Sequence, residues 1–398
     1  MAKKSKLLTF LTSFLSLVLG GIIGAVALLW HTTPDSYAIP EKVNQIHNHA
    51  VAGEINVNTV KEQDLSIHFL ELGNKYTGDC TLIKVGDTEM LIDAGSKASS
   101  IPAIQSYLDT YVEGDLDYVV VTHAHEDHYA GFATNENTDS LFDLNTVKNI
   151  IDFGDGTNKT LSNKMYANYI RERDAEVDAG AKYYAAIDYV NNISAEVKQR
   201  FELKAGSGVY VEMLYHKYLG GGMDAETEND YSVCLQIVYQ DKYYLFTGDL
   251  EAEGEESLVD ENAAGGKNEG MLHEVEVYKA GHHGSKTSST EALMNVIKPK
   301  VVCVCCCAGS SEYTSKNENQ FPTQIFINNV YKSNPNAKIY VTTLCVDYKA
   351  NKYTSFNGNI VITAKEGITD TTIHCSKSAI DLYETEWFKQ IRTLPEIA

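Results

Sequence analysis

Alternating apolar and polar positions mark the start of the patterned part of this chain. Leu65-Ser66-Ile67-His68-Phe69-Leu70 predicts a strand with one buried face. Residues 80–85 and 89–92 continue as two more strands, separated by the Gly86-Asp87 turn, with Asp93 and Gly95 at the exit of the second. The period then changes. Ile104, Leu108 and Tyr111 share one face of a helix over 102–111, with Pro102 tolerated in its first turn. A β-branched run over 116–122 predicts the central strand. Further strands are expected at 147–153, 208–214, 231–238, 243–247, 275–279, 301–307, 337–342 and 359–364. The pair 231–238 and 243–247 joins through Asp241-Lys242. Helical patterns fall at 161–173, 181–188 and 290–297, and the Tyr-rich face of 181–188 reads as packing. Many strands with helices between them predict an α/β fold of two packed sheets covered by outer helices. No 20–50 residue repeat interrupts this order.

Length and charge narrow the picture. The 398 residues are 43% apolar, enough for one large domain or two modest ones. The formal charge of -21 argues against broad, non-specific nucleic-acid binding, although a metal can create a positive site within an acidic shell. Lys3, Lys4 and Lys6 precede an uncharged apolar run over 7–30, long enough to cross a hydrocarbon layer of about 30 Å. That layout predicts a transmembrane signal anchor at 1–30, a short cytoplasmic N-terminus and an extracellular remainder, hence a single-pass cell-membrane protein. Cleavage near Tyr37-Ala38 would instead release a secreted form. Residues 31–63, with Pro34 and Pro40, read as a linker, and 64–398 as the folded domain. Cys303, Cys305, Cys306 and Cys307 lie in one apolar run and read as small buried hydrophobes of a core strand, with a soft-metal site as the runner-up.

Three strand ends carry the candidate chemistry. The central strand runs into Thr122-His123-Ala124-His125-Glu126-Asp127-His128. His123 and His125 are two apart, so an extended backbone points both the same way, and a turn brings Asp127 and His128 round. Imidazole with carboxylate suits zinc, and also iron or manganese. Leu245-Phe246-Thr247-Gly248-Asp249-Leu250-Glu251 repeats the logic. Asp249 stands at a strand exit, where its two oxygens can bridge a metal pair, and Glu251 can orient a neighbour or substrate. The third piece is Lys279-Ala280-Gly281-His282-His283-Gly284-Ser285. One of the paired histidines is expected to bind metal while the other faces substrate as acid, base or donor. Ser285 and Lys286 are candidate contacts for an anionic group, against ordinary loop solvation.

Taken together, these pieces resemble the metallo-β-lactamase fold. The likeness extends to its branch with the hydrolase-like domain of competence DNA-uptake channel proteins (ComEC type) and the phosphorylcholine esterases. It is carried by Ile92-Asp93-Ala94-Gly95, by residues 122–128, by Asn229-Asp230-Tyr231-Ser232, by Thr247-Gly248-Asp249 and by residues 279–288, and it spans about 65–367. The resemblance implies an αββα sandwich and two zinc ions. One would be held by His123, His125 and Asp249, the other by Asp127, His128, Asp249 and His283. It further implies catalytic roles for Asp127, His282 and Glu251, and a substrate contact at Ser232. Many relatives supply a further His before the bridging Asp. Here that region holds His216, a candidate ligand, and an Asn/Ser motif of the kind common in the competence-type branch.

The expected activity is metal-dependent hydrolysis of a phosphoester or phosphodiester in nucleic acid, a nucleotide or a phosphorylated envelope component. No obligate protein partner is expected. A lactonase or β-lactamase acting on a carbonyl substrate is the alternative enzyme class, because fold alone does not choose the bond. A non-catalytic, metal-containing surface-binding module is the alternative outside enzymes.

Overall fold

The computed structural model describes residues 50–135 and 137–396. Among these residues the chain forms two sheets. The first seven strands are β1 (Ala50–Ala52), β2 (Leu65–Phe69), β3 (Thr81–Val85), β4 (Thr88–Ile92), β5 (Leu116–Val120), β6 (Val147–Asp152) and β7 (Lys182–Ala185). The next eight are β8 (Arg200–Glu202), β9 (Val209–Leu214), β10 (Cys234–Tyr239), β11 (Lys242–Phe246), β12 (Val277–Lys279), β13 (Val301–Ala308), β14 (Lys338–Asp347) and β15 (Lys352–Ser355). The last two, β16 (Ile360–Ala364) and β17 (Thr372–Cys375), return to the first sheet. Its order is β1-β17-β16-β2-β3-β4-β5-β6-β7, and that of the second is β15-β14-β13-β12-β11-β10-β9-β8.

Strand β13 shows why the two sheets stack with helices outside. Its residues are buried from end to end, so both of its faces are covered. Val301, Cys303 and Cys305 join the core that also holds Ile67 and Phe69 of β2 and Ile360 and Ile362 of β16. Val302, Val304 and Cys306 point the other way, as the two-residue period demands. They pack with Leu293 and Met294 of α1 (Glu291–Ile297) and with Phe326, Ile327 and Val330 of α2 (Gln324–Ser333). Each such Val or Ile, fully buried, contributes about 1.5–3 kcal/mol over its exposed state. The outer face of the first sheet is covered in part by helix Ile101–Tyr111, which buries Ile104, Leu108 and Tyr111 as its spacing predicts. This is the αββα sandwich. The cysteines are free thiols, and all four in β13 are buried.

Parallel pairing places the chemistry. β4, β5, β6 and β7 run parallel, as do β11, β12, β13 and β14. Open parallel sheets present functional groups beyond the carboxyl ends of their strands. Here those ends carry Asp93, His123, Asp249 and His283.

Several expectations need correction. Among the described residues no helix is long and apolar enough to cross a membrane. The segment 7–30, on which the transmembrane expectation rested, lies outside the described residues. The transmembrane part of the fold class, the membrane as partner and the cell-membrane localisation are therefore withdrawn. Residues 181–188 are not one helix. Lys182–Ala185 is the edge strand β7, paired with β6, and only Ala186–Val190 is helical. Tyr183 and Tyr184 fit a pleated, half-buried edge, so pairing overrides the helical pattern. The helix expected over 161–173 runs from Lys164 to Ala179, capped by Asn163. Residues 50–63 carry β1, which pairs with β17, and the short helix Val57–Lys61.

Candidate metal centre

Each motif is aimed by local backbone geometry. Asp93 follows β4 with φ of 59°, a left-handed conformation rare outside glycine. This turns its carboxylate onto the next strand end. The Thr122 amide and hydroxyl both donate to it at 2.8 Å, and His128 Nδ1 lies 2.8 Å from its Oδ2. The Asp93 carboxylate thus fixes a proton on His128 Nδ1 and leaves Nε2 as the ligand atom. His282 and His283 both have positive φ, 46° and 52°, in a tight turn after β12. The turn splits the pair. His283 is fully buried and its Nδ1 lies 3.0 Å from the Cys305 carbonyl. His282 is half-buried and lines an open cavity.

The buried groups converge. Asp79, His128, Asp249 and His283 offer ligand atoms that all lie within 4.8 Å of one another. Asp249 Oδ2 is 3.2 Å from His128 Nε2 and 3.3 Å from His283 Nε2, and Asp127 Oδ2 is 3.5 Å from His283 Nε2. His123 Nε2 lies 3.1 Å from His125 Nδ1, and the His123 and His128 rings are 4.2 Å apart. Every histidine and aspartate singled out in the three motifs therefore meets in one place. Four buried atoms there have no hydrogen-bond partner: Asp79 Oδ1, His128 Nε2, Asp249 Oδ1 and His283 Nε2. Leaving such atoms unmade costs about 1–3 kcal/mol each, more when charged. A divalent cation satisfies lone pairs of this kind together, so the donor set fits a metal.

Electrostatics agree with that fit. Burial alone pushes the His128 imidazole down, but the carboxylates of Asp249 and Asp93 outweigh it and lift the group to about 10. His123, deep and beside two other histidines, is held well below the ordinary imidazole range by burial. Burial opposes the charge of Asp127, yet the His283 and His128 imidazoles hold its carboxyl far below the usual range. Carboxylates and imidazoles are thus crowded into a space where each needs opposite charge.

The other predicted residues surround this core. Ser232 is buried rather than cavity-facing. Its Oγ accepts from the Asp249 amide at 3.0 Å and lies 3.4 Å from His123 Nδ1. His216 is fully buried outside the four-residue cluster, its Nε2 2.8 Å from the Ser232 carbonyl, and burial lowers it to about 4. Glu251 Oε1 lies 3.3 Å from His282 Nδ1 and accepts from Asn229 and Thr287. Ser285 is buried against Thr287, and Lys286 is exposed. Neither lines the cavity of about 460 Å³ above the centre. That cavity is bounded instead by Lys97, His125, Asp127, Asp249, His282 and Tyr313, with Glu126, Glu312 and Phe321 beside them.

Two groups escaped the sequence reading. Asp79 precedes β3 in Gly78-Asp79-Cys80, just ahead of the strand expected at 80–85. Its signal was the Gly-Asp pair, the same dipeptide as Gly248-Asp249 but on the entering side of a strand. Tyr313 and Phe321 sit on the loop after β13, which carried no periodicity.

The comparisons bear on this arrangement. The model of the family described as "Metallo-beta-lactamase superfamily" matches residues 73–134 and 209–308, which contain all three motifs. The competence protein ComA of Neisseria gonorrhoeae is 25% identical over 271 residues, 68% of this chain and 30% of that protein. The chain thus spans less than a third of that relative's length. Among solved structures, the metallo-β-lactamase fold protein YhfI from Bacillus subtilis aligns with a TM-score of 0.35 and 11% identity, over 69% of this chain and 85% of that one. A long form RNase Z from yeast aligns at 0.33 and 12%, over 62% and 38%. The diiron β-hydroxylase CmlA from Streptomyces venezuelae aligns at 0.35 and 12%, over 61% and 45%. With its αββα sandwich and its cluster of buried candidate ligands, this chain has the metallo-β-lactamase fold, and the family match takes in all three ligand motifs.

Proposed function

We propose that the chain hydrolyses a phosphoester or phosphodiester, with residues 64–398 as the catalytic unit. The observation that carries this reading is the arrangement around His282. Its Nδ1 is engaged by Glu251 at 3.3 Å and lies 3.1 Å from Thr287 Oγ1, while its Nε2 lies 3.9 Å from Asp249 Oδ2 on the cavity wall. A histidine oriented by a carboxylate on one nitrogen can deliver a proton from the other. His282 Nε2 would protonate the leaving oxygen, and Glu251 would hold the ring. Lys97, at the cavity rim and paired with Glu126 at 2.6 Å, would meet a non-reacting phosphate oxygen. Asp127, gripped by Tyr313, would orient the attacking water.

Two zinc ions are proposed for the centre, with manganese or iron as the competing occupants. One would be held by His123, His125 and Asp249, the other by Asp127, His128, Asp249 and His283. Bound metal supplies Lewis acidity and an activated water at neutral pH. Glu126, Asp127, Asp249 and Glu312 outnumber Lys97 around the cavity, so an anionic substrate is drawn in chiefly by that metal charge. The likeness to a competence protein supports a nucleic acid or nucleotide among the substrate candidates.

The test is a panel run on purified protein of known metal content: bis-nitrophenyl phosphate, a phosphorylcholine ester, a homoserine lactone and nitrocefin. Turnover of a phosphoester, lost on chelation and in His125→Ala, is expected. Turnover confined to the lactone or nitrocefin would assign carbonyl chemistry instead. Bound metal with no turnover on any of the four would point to a binding module.

A further inference from the structure

Lys279 ends β12 and is 3% exposed, an unusual place for an ammonium. It is ion-paired with Asp79, itself 3% exposed. The same Nζ lies 3.6 Å from Asp249 Oδ1 and 3.3 Å from the Gly248 carbonyl, to which it donates. The two oxygens of Asp249 are thereby divided: Oδ1 faces the ammonium, and Oδ2 faces the Nε2 atoms of His128 and His283. On its other side, Asp79 Oδ1 comes to 3.3 Å from His283 Nδ1. That nitrogen already faces the Cys305 carbonyl, so Asp79 is not needed to fix the ring.

A buried lysine beside a metal centre presents a physical contradiction. Its positive charge helps two neighbouring aspartates, Asp79 and Asp249, remain buried together. The same charge repels an incoming divalent cation across a few ångströms of low-dielectric protein. Asp79 resolves it. Its carboxylate, ion-paired with Lys279, cancels the ammonium. We propose that Asp79 and Lys279 form an internal counter-ion pair: Lys279 substitutes for metal charge and holds Asp249 in place in the unloaded protein, and Asp79 neutralises Lys279 so that metal still binds. Both are positioning residues, and the inference rests on metal binding, whatever bond the enzyme cuts.

The three possible substitutions act in different directions. Asp79→Asn leaves Lys279 uncompensated and should weaken zinc binding at least tenfold, with the number of zinc ions per chain unchanged. Lys279→Met should lower the urea midpoint of the metal-free protein while zinc binding holds or tightens. The double substitution should return zinc affinity to within a few-fold of the parent. Zinc affinity is read by competition with a chromophoric chelator, stoichiometry by elemental analysis and stability by urea titration of the metal-free full chain. None of these readouts needs a substrate. If Lys279→Met folds only when zinc is present, the pairing is equally supported. The proposal is overturned if Asp79→Asn leaves zinc affinity intact. Loss of a zinc equivalent in that variant would also overturn it, because Asp79 would then be a ligand. So would a double substitution that weakens binding more than Asp79→Asn alone.

Discussion

The phenol of Tyr313 donates a hydrogen bond to Asp127 Oδ2 at 3.1 Å, joining the loop after β13 to the turn after β5 across the mouth of the cavity. Tyr313 is 58% exposed and packs against Phe321 with the rings tilted and their centres 5.5 Å apart, while Phe321 flanks His282. A hydrogen bond to a charged group is worth about 1.5–3 kcal/mol, and exposure places this one at the low end. Tyr313→Phe should therefore lower kcat by about tenfold, at about 1.4 kcal/mol per decade. Metal content should stay constant. Steady-state kinetics on the best phosphoester of the panel checks it, and an unchanged kcat would remove Tyr313 from the reaction.

Gly95 is the tightest point of the centre. A Cβ built there would lie 1.6 Å from the Asp127 carbonyl oxygen and 2.6 Å from the His128 amide nitrogen. Those are backbone atoms of the ligand turn, so no rotamer change relieves the clash. Gly95→Ala should cost about 3 kcal/mol of stability, the upper end for overpacking. It should also lower metal content, because the turn that moves carries Asp127 and His128. Urea unfolding together with metal analysis decides the matter. A variant with native stability and full metal content would contradict the close approach.

Glu255 supplies a pH dependence away from the ligands. It is fully buried and accepts from the Ser289 and Thr290 amides at 2.6 and 2.7 Å, just ahead of α1. Burial raises its carboxyl to about 7, despite those two donors. A raised acid binds its proton more tightly in the folded state than in the unfolded chain. Its stabilising effect is thus complete below the ordinary glutamate value of about 4.3 and is lost as pH rises through about 7. The loss amounts to about 3 kcal/mol between those limits. Glu255→Gln should flatten the urea-stability profile between pH 5 and 8. A slope equal to that of the parent would remove Glu255 as its source.

The sequence revealed the centre best where candidate ligands are neighbours in the chain. His123, His125, Asp127 and His128 share one strand exit, and their spacing alone implies convergence. Asp249 and the His282-His283 pair were found by the same strand-end logic. Asp79 was missed because it enters a strand rather than leaving one, and its partner Lys279 looked like one more strand residue. Only the pairing of β11 with β12 brings that lysine against Asp249. The edge strand β7 was misread for a related reason: a short Tyr-rich segment satisfies both periods until a neighbouring strand claims it. The returning strand β16 was anticipated as a strand, but its place beside β2 depends on contacts far apart in sequence.

The two sheets each contribute one half of the proposed ligand set, which has a consequence for biosynthesis. A chain emerging from the ribosome can complete β5 and display His123, His125, Asp127 and His128 long before Asp249 and His283 exist. Early on it offers only a partial, solvent-open chelate, which any divalent ion can visit and leave. Domains fold as units only once their distant segments are available. Selection among metals is therefore deferred to the moment β12 docks, when the same event that closes the core also closes the cage.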